Sequence, residues 1–270
     1  MTLPDPHDAL AYLARAETLL ICMDFDGTIC ELRPDAYSVT PDPQAIAALE
    51  NLAALPGTDV AILSGRHLDG LRRVCPLGPP VTLVGSHGAE PTTGGPELTA
   101  EDREYLDGIQ RELEQLTQDH PGAFVEVKPY QRVLHVMKLA TTDPDAAAAI
   151  LESGLHLPTH GRPVTPGHNI LEFSAVDITK GSWLAAEKTR YTATLFAGDD
   201  VTDETALAVL DTAKPHPSVS TPSDVGIKVQ HSTTGGTGAS ATAADYGLGS
   251  VAEVADFLTA LAEARQSAQG

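Results

Sequence analysis

The sequence predicts an α/β fold in which a parallel-sheet core is interrupted by a smaller inserted α+β domain. Three observations carry that reading. Apolar runs that finish in small and charged residues recur toward both ends of the chain, and the middle carries half-polar alternating segments instead. The length of 270 residues, 42% hydrophobic, is enough for two packed domains and excludes general disorder.

The first strand is Leu19-Leu20-Ile21-Cys22-Met23, which delivers Asp24-Phe25-Asp26-Gly27-Thr28 to its carboxyl end. In open parallel sheets, ligands collect at that end of the strands. Spacing of two places both carboxylates on one side of an extended backbone, and a turn at Gly27 can splay them. One carboxylate could then attack phosphorus while the other handles a proton. Asp42-Pro43 reads as an N-cap with proline in the first helical position, leading an apolar stripe through Ile46, Leu49, Leu52 and Leu55. Asp59-Val60-Ala61-Ile62-Leu63 is a buried strand ending in Ser64-Gly65-Arg66. Val81-Thr82-Leu83-Val84 is another, ending in Gly85-Ser86-His87-Gly88.

The inserted domain is expected at 95–175, with the core formed by 1–94 and 176–270. Pro91 to Pro96 reads as a linker, and a charged helix runs from about Thr99 to Thr117. Phe124-Val125-Glu126-Val127-Lys128 and Val133 to Lys138 alternate as strands with one polar face. Asp143-Pro144 opens an alanine-rich helix, and Asn169 to Phe173 is one more strand. The core resumes with Thr194-Leu195-Phe196-Ala197, ending in Gly198-Asp199-Asp200. Thr233 to Ala244, rich in Gly, Thr, Ala and Ser, reads as a flexible loop. The last helix has a capping box at Ser250 and Glu253 and a stripe of Val251, Val254, Phe257, Leu258 and Leu261.

A net charge of −20 disfavours nonspecific binding to nucleic acid or to an anionic membrane surface. It also means that an anionic substrate needs local cations and a metal to be held. The three cysteines, Cys22, Cys30 and Cys75, form no CxxC pair and are odd in number, so neither a disulfide framework nor a zinc site is expected. Met1 to Ala16 mixes Pro, Asp, His and Arg and does not read as a signal peptide, and no apolar run reaches membrane-spanning length. The expectation is a soluble, cytoplasmic protein.

Four segments then carry candidate chemistry. Asp24 is a candidate nucleophile, able to form an acyl phosphate and divide one difficult displacement into two. Asp26 could protonate the leaving oxygen and later deprotonate water. Ser64 offers a hydroxyl to phosphoryl oxygens, and Lys180, in Ile178-Thr179-Lys180-Gly181, offers a cation. Asp199, Asp200 and Asp203 supply hard oxygen ligands of the kind that Mg2+ prefers. Taken singly, each has a bland reading as a strand-end turn, a solvated lysine or an acidic helix start. The joint order of DxDGT, Ser-Gly, Lys-Gly and Gly-Asp-Asp is what points to phosphoryl transfer.

That order resembles the haloacid dehalogenase-like phosphohydrolases. Further strings resemble the trehalose-6-phosphate phosphatases: Leu63-Ser64-Gly65-Arg66, Gly85-Ser86-His87-Gly88-Ala89-Glu90, Val125-Glu126-Val127-Lys128, Gly198-Asp199-Asp200-Val201-Thr202-Asp203-Glu204, and Thr237 to Leu248 with the helix after it. The resemblance runs from Leu19 to Leu261. It implies a Rossmann-like core with a mobile cap that sets substrate specificity, and hydrolysis of trehalose 6-phosphate with Mg2+ through an aspartyl phosphate, the last step of trehalose biosynthesis. It assigns Asp24 as nucleophile and metal ligand, Asp26 as acid/base with its carbonyl on the metal, and Asp199 as metal ligand, with Asp200 and Asp203 supporting the metal site. Thr28, Ser64 and Lys180 would hold phosphate; Gly65 would bind substrate beside them; Arg66, His87 and Glu90 would shape the entrance; and Glu126, Lys128 and Glu172 would bond sugar hydroxyls. The chain departs from the pattern in two places. Glu172-Phe173-Ser174-Ala175 stands where the family usually has an arginine-proline pair soon after the glutamate, and Tyr130-Gln131-Arg132 fits only loosely. Sucrose 6-phosphate or mannosyl-3-phosphoglycerate as substrate, a phosphomutase, and a non-catalytic sugar-phosphate binder are the alternatives.

Overall fold

The structure is a computed structural model that describes residues 3–33, 35, 37–212, 224–230 and 241–269. Along the chain, helix α1 (Leu10–Leu13) and strand β1 (Leu19–Met23) are followed by α2 (Pro43–Ala53), β2 (Thr58–Leu63), α3 (Leu68–Val74), β3 (Thr82–Gly85) and β4 (Glu90–Pro91). Next come α4 (Ala100–Thr117), β5 (Phe124–Val127), β6 (Gln131–His135), α5 (Met137–Ala140), α6 (Pro144–Leu155), β7 (Val164–Gly167) and β8 (Ile170–Ser174). The chain continues through α7 (Lys180–Glu187), β9 (Ala193–Gly198), α8 (Glu204–Leu207), β10 (Val225–Val229), β11 (Tyr246–Leu248) and α9 (Val251–Gln269). It divides into two units, Met1–Gly95 with Ile178–Gly270, and Pro96–Asp177.

The first unit is built on a seven-stranded sheet, among the described residues, in the order β11-β10-β9-β1-β2-β3-β4. All neighbours are parallel except β4, which runs antiparallel to β3. β1 lies at the centre and all five of its residues are buried, which is why it reads as an unbroken apolar run rather than an alternating one. Its side chains alternate between two cores. Leu19, Ile21 and Met23 pack on the side of α2 and α9 with Leu49, Leu52, Phe257, Leu258 and Leu261. Leu20 and Cys22 pack on the side of α7 and α8 with Leu184, Ala206 and Leu207. Met23 pairs with Ile62 on β2 and with Ala197 on β9. The next residue, Asp24, therefore emerges between the carboxyl ends of both neighbours.

The inserted unit has an antiparallel sheet, β5-β6-β8-β7. The capping box at Thr99 and Asp102 starts α4, and Asp143 with Pro144 starts α6, as the residue pattern predicts. Register puts Glu126 opposite Val133 and Val133 opposite Glu172. By the two-residue period of a strand, Glu126, Gln131, Val133, His135, Glu172 and Ser174 share one face. The other face carries Val125, Leu134, Leu171 and Phe173, which pack with Tyr105, Leu106, Ile109 and Leu113 of α4 and Ala147 and Ile150 of α6. Arg132 also lies on this second face. It donates to Gln110 Oε1 at 2.9 Å and to the Lys128 and Gln131 carbonyls at 2.9 and 2.8 Å, bracing the β5–β6 turn.

One strand differs from expectation. The run Val133 to Lys138 is not one strand: β6 begins earlier, at Gln131, and ends at His135, while Met137 and Lys138 belong to α5. The Val136 N–H leaves the ladder to meet the Asn169 carbonyl at 3.0 Å, and Ala140 N–H closes a helical turn on the Val136 carbonyl at 2.8 Å. β4, α1, β7, β10 and β11 lack a pattern that marks them in advance, being short or interrupted by Gly, Pro or Lys. Much of the expected loop Thr233 to Ala244, and of the family-like segment from Thr237, lies outside the described residues. Of its described part, Thr242 Oγ1 and Ala243 N–H both donate to the Glu204 carboxylate, at 3.0 Å each.

Candidate active site

Two residues beyond β1, the Phe25 carbonyl receives the N–H groups of Ile29 and Cys30, at 3.0 and 3.2 Å, so the chain turns at once. Gly27 sits in this turn at φ +78°, a left-handed conformation that glycine takes without steric cost. A Cβ there would also fall on the Asp199 carboxylate, so the glycine lets β1 and β9 bring their carboxylates together. The nearby Thr28 hydroxyl donates to Asp24 Oδ2 at 3.3 Å.

Lys180 begins α7, whose N-cap Thr179 accepts the Ser182 N–H. From there its ammonium donates to Asp24 Oδ1 and to Asp203 Oδ1, each at 2.7 Å. Asp203 is fully buried, and its other oxygen accepts the N–H groups of Asp199 and Asp200 at 3.0 Å each. Asp200 Oδ1 in turn accepts the Thr202 N–H and hydroxyl, both at 2.7 Å, and the Asp203 N–H at 3.2 Å. The string from Gly198 to Glu204 is thus a self-bonded turn that aims Asp199 and fixes Asp203. Glu204 accepts from Lys228 Nζ at 2.8 Å and anchors the described residues 242 and 243.

Asp24, Asp199 and Asp203 each place a carboxylate oxygen within 4.8 Å of the others. Three carboxyl groups lie close together with one ammonium in a mostly buried place, so full ionisation would leave a net charge of −2. Burial and the charge of Asp203 push the Asp24 carboxyl well above the ordinary range, although Lys180 pulls the other way. Burial likewise raises the Asp203 carboxyl against the pull of Lys180. Burial alone would lower the Lys180 ammonium, but Asp24, Asp203 and Asp200 outweigh it and shift it upward. The lysine therefore stays charged, while burial and crowding make the Asp24 and Asp203 carboxyls hold protons more readily than free ones. A small divalent cation with oxygen preference would relieve that crowding and favour their ionised forms.

The remaining predicted residues of this unit fall around the same edge. Arg66 grips Asp26 with both ends of its fork, Nε to Oδ2 and Nη2 to Oδ1, at 2.6 Å each. Ser64, buried at the end of β2, accepts the Arg66 N–H at 3.1 Å. The His87 ring lies so close to Gly65 that a Cβ there would come within 2.6 Å of its Cε1. Glu90 accepts the Ser86 hydroxyl. Asp26 is clamped by Arg66, whereas the Asp200 carboxylate caps the turn that holds Asp203 and joins the cluster of Asp24, Asp199 and Asp203 only through that backbone.

In the inserted unit, Lys128 Nζ and Glu172 Oε2 form a buried pair at 3.0 Å, joined by Gln131, whose amide donates to Glu172 Oε1 at 2.9 Å. Glu126 pairs instead with His135 Nε2 at 2.9 Å, and that ring stacks on Phe124 with centroids 4.6 Å apart. Gln131 and His135 had no role in the sequence reading. The alternation from Gln131 to His135 is the signal that places both on the polar face. In the core unit, Thr205, whose hydroxyl accepts the Gly181 N–H at 3.0 Å, carries no sequence signal of its own.

The trehalose-phosphatase family model matches residues 22–251, most of the chain. Trehalose-phosphate phosphatase of Mycobacterium ulcerans (strain Agy99) is 32% identical over 275 residues, covering 94% of this chain, and the chain spans 65% of that relative's length. A bifunctional trehalose-6-phosphate synthase/phosphatase of Thermoproteus tenax is 31% identical over 204 residues, covering 71% of this chain and 27% of that protein. Among solved structures, the C-terminal domain of Candida albicans trehalose-6-phosphate phosphatase superposes with a TM-score of 0.75 at 20% identity, covering 97% of this chain and 98% of that one, a likeness of fold. The chain belongs to the trehalose-phosphatase family.

Proposed function

We propose that this protein hydrolyses trehalose 6-phosphate to trehalose and inorganic phosphate. The observation that carries the proposal is the Lys180 bridge between Asp24 and Asp203, with Asp199 beside them, at the carboxyl edge of a parallel sheet in a trehalose-phosphatase chain. Asp24 is the only one of the three carboxylates that directly follows the central strand. Its oxygen attacks phosphorus, the bond from phosphorus to the sugar oxygen breaks, and an aspartyl phosphate forms. Asp26 gives the leaving oxygen its proton, then takes one from the water that releases phosphate and restores Asp24. Arg66 occupies both Asp26 oxygens, so that contact opens as the substrate arrives.

Lys180, Thr28 and Ser64 hold the phosphoryl oxygens, and Gly65, Arg66, His87 and Glu90 line the approach. Asp24, Asp199 and the Asp26 backbone carbonyl would hold Mg2+, which would polarise the phosphoryl group and offset its charge. Asp200 and Asp203 act through the turn that positions Asp199. The inserted unit serves as a specificity cap, where Glu126, Lys128 and Glu172 hydrogen-bond sugar hydroxyls. Three buried cysteines without disulfides support a cytoplasmic location. No helix among the described residues is long and apolar enough to cross a membrane.

The expected result with trehalose 6-phosphate is phosphate release that saturates with Mg2+ and stops on chelation. Mg2+ at about 100 times its dissociation constant should also stabilise the fold by about 2.7 kcal/mol, read as a higher melting temperature. Release of phosphate that chelation leaves untouched, with no shift in melting, would contradict the metal assignment.

A further inference from the structure

We propose that Gln131 is a specificity-determining residue: its side-chain carbonyl accepts a hydroxyl of the sugar while its amide nitrogen holds Glu172 in place. Lys128 and Gln131 flank a two-residue turn, and each backbone N–H donates to the other's carbonyl, at 3.0 and 3.4 Å. Such a hydrogen-bonded pair sends both side chains to the same face. Gln131 is paired with Ser174, two residues beyond Glu172, so Glu172 joins that face too. Three polar side chains thus converge, each less than one-tenth exposed, and Gln131 is only 3% exposed.

The orientation of the Gln131 amide follows from its partner. A carboxylate only accepts, so the atom facing Glu172 Oε1 at 2.9 Å is the nitrogen. The oxygen is left at the other end, buried and without a hydrogen-bond partner. An orphaned buried acceptor costs about 1–3 kcal/mol, and native proteins keep few of them. What completes it must be a donor, and a neutral hydroxyl matches it without bringing another charge to the Lys128–Glu172 pair. A polyhydroxylated ligand is the chemical class that supplies one. The oxygen is covered in this arrangement, so the ligand reaches it by displacing what covers it. A site built this way rejects an ester lacking the hydroxyl, because the acceptor then stays unpaired.

The inference rests on the proposed function only for which sugar carries the hydroxyl. Gln131→Met keeps most of the side-chain volume and removes both amide roles. With the full chain and Mg2+, the expected outcome for this variant is about a tenfold or greater fall in kcat/KM on trehalose 6-phosphate, carried mainly by KM. Hydrolysis of p-nitrophenyl phosphate, which has no sugar, should stay within about twofold of the parent chain. Calorimetric binding of trehalose 6-phosphate to Asp24→Asn, with and without Gln131→Met, should show the same loss without any turnover. If the Met variant does not fold, Gln131→Asn, one methylene short of Glu172, carries the same comparison.

Unchanged kinetics and binding on trehalose 6-phosphate, or an equal fall on both esters, would overturn the role of Gln131. If the unsubstituted chain prefers a different sugar phosphate, the trehalose reading falls, and the Gln131 comparison is decided on that ester instead.

Discussion

Asp24→Asn is expected to lower phosphate release by at least about 10³-fold while leaving the fold as stable as before or more so. The loss follows from position. Asp24 stands directly beyond the central strand, and Lys180 bonds its Oδ1 while Thr28 bonds its Oδ2. An amide of the same shape keeps those neighbours but cannot act as the attacking carboxylate. The stability half follows from the surplus of negative charge. Burial and Asp203 raise the folded-state pKa of Asp24 above its unfolded value. A carboxyl raised in this way weakens the metal-free fold as pH climbs from the unfolded value through the folded one. Asn removes that penalty, and Lys180 keeps Asp203 as its counter-charge. Melting curves at neutral pH without Mg2+ check this half, and phosphate assays with Mg2+ check the other. Turnover near that of the parent chain would exclude Asp24 as nucleophile. A large drop in melting temperature would contradict the charge argument.

The second large effect lies far from the chemistry. Arg265→Met is expected to destabilise the protein by about 3–4 kcal/mol, read as a lower urea midpoint. Arg265 is fully buried near the end of α9. Its guanidinium donates to the Gly57 and Ala16 carbonyls at 2.8 and 2.9 Å, to the Leu13 and Ala14 carbonyls at 3.3 Å each, and to the Thr58 hydroxyl at 2.5 Å. Leu13 and Ala14 end α1, where carbonyls point beyond the helix and a cation is favoured. The arginine thus ties α9 to the end of α1 and the start of β2. Methionine can fill much of the space but takes the donor from the Ala14 and Ala16 carbonyls and the Thr58 hydroxyl, while the Leu13 and Gly57 carbonyls keep the N–H groups of Ala16 and Leu19. A midpoint unchanged from the parent chain would show that water or repacking replaces the guanidinium.

Arg265 also shows where reading the sequence stops. The stripe Val251, Val254, Phe257, Leu258 and Leu261 was legible because helical spacing announces a buried face. Arg265 is the next residue in that stripe, four beyond Leu261, and an apolar pattern has no means of showing that an arginine continues it. Gln131 was obscured for a related reason. Its alternation with Val133 and His135 marks a polar face, but only the register with β8 brings it to Glu172.

The core was far more legible. A central parallel strand must be apolar on both faces, so Leu19 to Met23 stood out together with the acidic turn behind it. Asp24 and Asp199 could be named because strand ends in such a sheet share one edge, and Lys180, at the start of α7, because Lys-Gly completes the motif order. Which carboxylates meet there could not be named from spacing. That depends on Gly27 leaving room for Asp199, and on a turn that spends Asp200 on its own backbone while burying Asp203 against Lys180.

The measurement that bears most directly on the central claim is kcat/KM for Mg2+-dependent phosphate release across trehalose 6-phosphate, sucrose 6-phosphate, glucose 6-phosphate and mannosyl-3-phosphoglycerate, with the sugar product identified. Trehalose 6-phosphate should be preferred by about 10²-fold or more, yielding trehalose and phosphate in equal amounts. Preference for another ester, phosphate returned to a sugar hydroxyl, or no release from any of the four would contradict it.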